Sequence, residues 1–139
     1  MEKRTVLFVD DEVNILKAIR RLFMNDSFNA LYAHSGSEAI DMLKEYEVHV
    51  IITDMRMPNM SGLDLLKVVR QEYPKIVRVV LSGYTQVTTL LTAINQGEIF
   101  KYITKPWEDE DELRAAILQS IEHYDIQNNL AGHSVCEAE

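Results

Sequence analysis

The chain has 139 residues, 47% of them hydrophobic, and carries a formal net charge of −8. That length builds one hydrophobic core and leaves little room for a second. The acidic balance argues against direct nucleic-acid binding, where affinity rests largely on Lys and Arg neutralising phosphates. No apolar run is long enough to cross a membrane. Met1-Glu2-Lys3-Arg4 leads straight into an apolar run, so no signal peptide is expected. The single Cys136 cannot form an internal disulfide, which fits a reducing, cytoplasmic location.

In chain order, the first predicted strand is Thr5-Val6-Leu7-Phe8-Val9, which runs into Asp10-Asp11-Glu12. Val13, Leu16, Ile19, Leu22 and Phe23 then recur at helical spacing. Asn29 to Ala33 is a shorter, less apolar strand, as suits a sheet edge. Ala39, Met42, Leu43 and Tyr46 mark a second helix, and the strand from Val48 to Thr53 ends at Asp54. Gly62, Leu65, Leu66, Val69 and Tyr73 mark a third helix before the strand Ile76 to Leu81, which ends in Ser82-Gly83. A fourth helix reads through Val87, Leu90, Leu91 and Ile94, and Phe100 to Thr104 runs into Lys105-Pro106. Leu113, Ala116, Ile117, Ser120, Ile121 and Tyr124 complete a fifth helix.

Five alternations of strand and helix with right-handed crossovers give a doubly wound α/β domain. Near-continuous Val, Ile and Leu runs suit parallel strands covered by helices on both faces. Such sheets bind ligands beyond the carboxyl ends of their strands, where the strand order reverses. Asp10, Asp11, Asp54, Ser82 and Lys105 all fall at those ends.

On the plainest view, Asp10, Asp11 and Glu12 cap the helix that follows, because acids in a first turn complement the dipole. One cap needs one acid, however, and adjacent carboxylates at the end of a buried strand repel unless a cation relieves them. Magnesium suits such a site, since it binds one or two carboxylates and takes its remaining ligands from water and phosphate oxygens. Asp54 is either a further ligand or a nucleophile that forms an acyl phosphate; the plain alternative is a loop acid before Met57-Pro58-Asn59. Ser82 alone would be a turn residue, and Lys105 alone a solvated charge. Their shared edge gives them weight, for a hydroxyl donates to phosphate oxygens and an ammonium pairs with carboxylates or phosphates. His34, His49, His123 and His133 show no metal-ligand spacing.

Val9-Asp10-Asp11-Glu12, Thr53-Asp54-Met55-Arg56-Met57-Pro58 with Ser61-Gly62, Leu81-Ser82-Gly83 and Lys105-Pro106 together resemble the receiver domain of two-component response regulators. The resemblance covers roughly residues 4 to 126, so the domain is taken as 1–126, with 127–139 a tail or the start of a linker. It implies a flavodoxin-like, five-stranded parallel sheet in the order 2-1-3-4-5. It implies that Asp54 accepts a phosphoryl group from a phosphohistidine on a sensor histidine kinase or phosphotransfer protein. Asp10 or Asp11, with Asp54 and the backbone carbonyl of Arg56, would hold magnesium, with manganese a substitute. Ser82 would bind the new phosphoryl oxygen, Lys105 would pair with the acids or the phosphoryl group, and Tyr102 would fill the space Ser82 vacates. The same resemblance makes the Lys105–Pro106 bond cis. It also sets Arg56 and Tyr84 over the phosphoryl group, where they would tune its lifetime.

By the same resemblance the output surface spans helix four, strand five and helix five, and controls an effector domain or protein. A phosphorylation-dependent homodimer is a further option. Thr85, Thr88, Thr89 and Thr92 lie off the apolar stripe of helix four, as a partner face or a solvated one. The run from Phe100 to Trp107 resembles receivers fused to cyclic-dinucleotide phosphodiesterase domains. The domain would be a phosphoacceptor, assisting only its own phosphorylation and dephosphorylation. Three rivals are weaker. A magnesium phosphatase with an aspartyl-phosphate intermediate needs a general acid two residues after its nucleophile, and Arg56 cannot give up a proton at neutral pH. A flavin or nucleotide carrier would want a glycine-rich loop after strand one. A degenerate receiver, acting only as an interaction module, would have lost one of the five site residues.

Overall fold

The computed structural model describes residues 3–24, 26–83, 87–105, 107 and 109–128. Its elements are β1 (Thr5–Val9), α1 (Val13–Leu22), β2 (Asn29–Ala33), α2 (Gly36–Glu45) and β3 (Val50–Asp54). They continue with α3 (Gly62–Glu72), β4 (Val77–Ser82), α4 (Val87–Asn95), β5 (Lys101–Thr104) and α5 (Glu110–Gln127). All four strand pairs are parallel, and the order is β2-β1-β3-β4-β5, the order expected.

Alternation along the buried strands divides the core between two faces of the sheet. Leu7, Val9, Ile51 and Val80 pack with Ala39 and Leu43 of α2, Leu65, Leu66 and Val69 of α3, and Leu90 and Ala93 of α4. Val6, Phe8, Val50, Ile52, Val79 and Leu81 point the other way, onto Leu16 and Ile19 of α1 and Leu113, Ala116 and Ile117 of α5. A one-residue slip of any central strand would exchange these two sets. Strand β2 lies at an edge, as its composition suggests, and its Tyr32 stacks on Phe8 at 5.7 Å under the guanidinium of Arg20.

The helical stripes are narrower than their periodicity implies. Val13 is 46% exposed and Leu91 49% exposed, so neither joins the core. Phe23, Tyr46 and Tyr73 are C-caps rather than helix-interior residues. The third strand begins at Val50, and the buried His49 before it already joins the ladder: its N–H donates to the Thr5 carbonyl and its carbonyl accepts the Val77 N–H. Its Nδ1 accepts the N–H of Thr5 at 2.9 Å, and its ring meets Tyr124 edge to face. Burial lowers the His49 pKa against the opposing charge of Glu47, which keeps Nδ1 available as an acceptor. Nearby, Arg4 pairs with Asp125 at 2.8 Å and ties β1 to the end of α5. Helix α5 runs to Gln127. Beyond Asn128 the tail, with His133 and Cys136, lies outside the described residues. No described helix is long and apolar enough to cross a membrane.

Candidate functional site

The chain passes from β1 to β2 on one side of the sheet and then crosses to β3 on the other. The crevice of a doubly wound sheet opens at that reversal, between the carboxyl ends of β1 and β3. Asp10 follows β1 directly and Asp54 is the last residue of β3. Parallel register brings the remaining groups alongside: Asp54 lies opposite Leu81, and Ser82 opposite Thr104. Beyond the last strand, the Lys105 N–H donates to the Ser82 carbonyl at 2.8 Å, so the lysine continues the ladder.

Lys105 Nζ lies 2.9 Å from Asp10 Oδ2, 2.9 Å from Glu12 Oε1 and 3.5 Å from Asp54 Oδ2. Burial alone would lower the ammonium pKa, but hydrogen bonds to Glu12 and Asp10 and the charges of Asp10 and Asp54 outweigh it. The net shift is upward, so the lysine stays cationic. Asp54 moves upward too: burial is the main cause and the Asp10 charge adds to it, against Lys105 and the Met55 N–H. That N–H donates to Asp54 Oδ1 at 2.9 Å. Among the described residues of this bridge, three acids face one ammonium.

Helix capping does not account for the acids. Glu12 is the N-cap of α1 but makes no side-chain cap bond; its carboxylate turns to Lys105 instead. Asp10 Oδ1 accepts the Glu12 N–H at 2.9 Å, which fixes the bend out of β1. One carboxylate oxygen each of Asp10, Glu12 and Asp54 lie within 4.8 Å of one another. Hard oxygen donors this close, two of them buried, fit a magnesium ion.

The structure brings Asp10, Asp54 and Lys105 together, with Ser82 joined to Lys105 through the backbone; Asp10, Asp54 and Ser82 are buried. Asp11 is exposed, and Glu12 rather than Asp11 joins the carboxylate group. Arg56 is exposed in the loop after β3, and Tyr102 packs half-buried against the core face that carries α4. Tyr84, Thr85 and Pro106, with its peptide bond to Lys105, lie outside the described residues.

The loop from Asp54 to α3 is held by close approach. Asn59 adopts φ 71°, a left-handed conformation that asparagine tolerates. Ser61 caps α3 by accepting the Asp64 N–H, and the Gly62 N–H donates to the Met55 carbonyl at 2.8 Å. A β-carbon on Gly62 would stand 2.1 Å from the Asp54 carbonyl oxygen and 3.0 Å from Met55 Cα. Gly62→Ala is therefore expected to destabilise the fold by about 1–3 kcal/mol and to displace the Asp54 backbone. Urea denaturation, with the Asp54 amide shift as a local probe, measures both effects.

Fold and site define a doubly wound α/β domain with an acidic, lysine-bridged crevice at its topological switch point. The response regulator receiver domain model matches residues 6–118, and the chain belongs to that family. Receiver domains are components of two-component systems, and phosphorylation and magnesium are typical of them. The chain is 38% identical over 129 residues to the hydrogenase transcriptional regulatory protein HoxA of Cupriavidus necator, covering 93% of this chain and 26% of that protein. It is 31% identical to the DNA-binding transcriptional regulator NtrC of Klebsiella pneumoniae, covering 91% and 27%. The chain thus spans about a quarter of the length of these curated relatives. Among solved structures, the signal receiver domain of an HD domain-containing protein from Pseudomonas fluorescens Pf-5 superposes with a TM-score of 0.85. That pair shares 31% identity, over 93% of this chain and 94% of that one.

Proposed function

We propose that this domain is a phosphorylation-dependent switch in which Asp54 accepts a phosphoryl group from a phosphohistidine on a sensor kinase or phosphotransfer protein. The observation that carries the reading is Lys105 Nζ bridging Asp10, Glu12 and Asp54 across three chain segments. Asp54 Oδ2 attacks phosphorus, the phosphorus–nitrogen bond breaks, and the electron pair stays on the departing imidazole nitrogen. Asp54 is suited to this attack because Met55 occupies Oδ1 and leaves Oδ2 facing the ammonium.

Asp10 and Asp54, with Glu12 or Asp11 and the Arg56 carbonyl, would hold magnesium, which supplies charge neutralisation for the phosphoryl oxygens. Lys105 adds a fixed positive charge at the same place, and Ser82 offers a hydroxyl donor to one phosphoryl oxygen. A phosphoryl group brings about two negative charges and three acceptor oxygens, enough to draw Ser82 and Lys105 to it. Tyr102, opposite Val80 and so two residues back from Ser82 on the neighbouring strand, follows that movement and passes it to the surface formed by α4, β5 and α5. Arg56, two residues after Asp54 in the exposed loop, slows hydrolysis of the group. The surface so altered controls an effector domain or partner protein.

Acetyl phosphate with magnesium should give a covalent adduct of one phosphoryl group, seen by intact mass. Asp54→Asn should abolish it. Folded wild-type protein that stays unmodified would leave a receiver that works only through protein contacts.

A further inference from the structure

Ser82 is 2% exposed, and its single hydroxyl proton has two acceptors within reach. One is the carbonyl of the adjacent Gly83, at 3.0 Å; the other is the thioether of Met55, at 3.8 Å. Met55 is itself buried, and its backbone is pinned on both sides. Its N–H donates to the Leu81 carbonyl at 3.2 Å and to Asp54 Oδ1, while its carbonyl receives the Gly62 N–H. The sulfur therefore hangs from the residue that follows the proposed phosphoacceptor and reaches across to the neighbouring strand. A thioether is a weak acceptor on a flexible side chain. It can retain a hydroxyl, yet yields it readily to a charged oxygen, which makes a stronger bond.

We propose that Met55 is a positioning residue whose sulfur retains the Ser82 hydroxyl in the unphosphorylated domain and sets how readily Ser82 turns to a phosphoryl oxygen on Asp54. The inference rests on the reading of Asp54 as phosphoacceptor and Ser82 as the sensing hydroxyl. Packing alone would make leucine an adequate replacement, because it fills similar volume. Leucine offers no acceptor, so the Met55→Leu domain has less holding the hydroxyl back.

Met55→Leu should tighten binding of beryllofluoride, a phosphoryl mimic, in the presence of magnesium. The expected change is about two- to fivefold, the scale of one weak hydrogen bond. Fluorescence of Trp107, the one tryptophan, reports the binding. In a Ser82→Ala background the same substitution should change nothing, because the cycle isolates the pair. In magnesium-free protein, Ser82→Ala should also shift the Met55 ε-methyl NMR signal while the exposed Met24 methyl stays in place; this arm stands even if Met55→Leu folds poorly. Equal effects of Met55→Leu in both backgrounds, or an unmoved Met55 methyl, overturn the inference alone. Wild-type protein that binds no beryllofluoride overturns the inference together with the phosphoacceptor reading beneath it.

Discussion

Lys105→Met is expected to lower the unfolding free energy by about 2–4 kcal/mol at neutral pH without magnesium. The lysine is the shared cation of Asp10, Glu12 and Asp54, and the Asp10 side chain is only 1% exposed. Removing one partner of a buried pair leaves the other desolvated and uncompensated, which costs more than the pair ever contributed. The lysine itself is 13% exposed, so the expectation sits toward the lower end of what such losses span. Methionine keeps most of the aliphatic stem, which separates charge from packing. Two additions should restore stability: millimolar magnesium, by binding only the folded state, and the second substitution Asp54→Asn, by removing one of the repelling charges. If neither restores it in urea denaturation, the loss lies in packing and the charge account fails.

Asp54→Asn alone should act in the opposite direction. Burial and the Asp10 charge hold the Asp54 pKa above its ordinary value, so the ionised carboxylate is a liability to the fold at neutral pH. Asparagine keeps an oxygen for the Met55 N–H and discards the charge. An increase of about 1 kcal/mol is expected in magnesium-free buffer, or roughly 3–6 °C in melting temperature. Magnesium should narrow or reverse the difference, because the wild type retains the full donor set. A variant less stable than wild type in magnesium-free buffer would show that Lys105 already compensates the charge.

Both predictions describe a site that is destabilising by construction. Asp54 keeps a carboxylate near a second buried acid, Asp10. The fold tolerates the cost because the two apolar layers on either face of the sheet are continuous. Lys105 offsets part of that cost from within the site, and the apolar layers carry the rest.

Much of this was legible before the fold was known. The strand runs ended where polar residues began, and parallel strands bring all such ends to one edge. Four short segments at fixed intervals therefore pointed to one site. The differences arose where chemistry alone does not discriminate. Asp10, Asp11 and Glu12 are adjacent and chemically alike, and only the backbone path out of β1 puts Asp10 inside, Asp11 outside and Glu12 against Lys105. Val13 and Leu91 fit the helical period and still face solvent, because a stripe shows which residues share a face but not how wide a face the sheet covers. Met55 carries no chemical signal of its own in the sequence; the role proposed for it depends on where a sulfur atom lies relative to a hydroxyl on another strand.

Sequence by itself determined the alternation of elements, the acidic balance and the convergence of Asp10, Asp54, Ser82 and Lys105 at one edge of the sheet. Those properties follow from local periodicity and from the rule that parallel strands end together. Tertiary structure alone decided which acid reaches the lysine, how closely Gly62 approaches the Asp54 backbone, and what holds the Ser82 hydroxyl. Each of these is a distance between atoms on different segments. Such distances are set by packing of the whole core, and no local pattern encodes them.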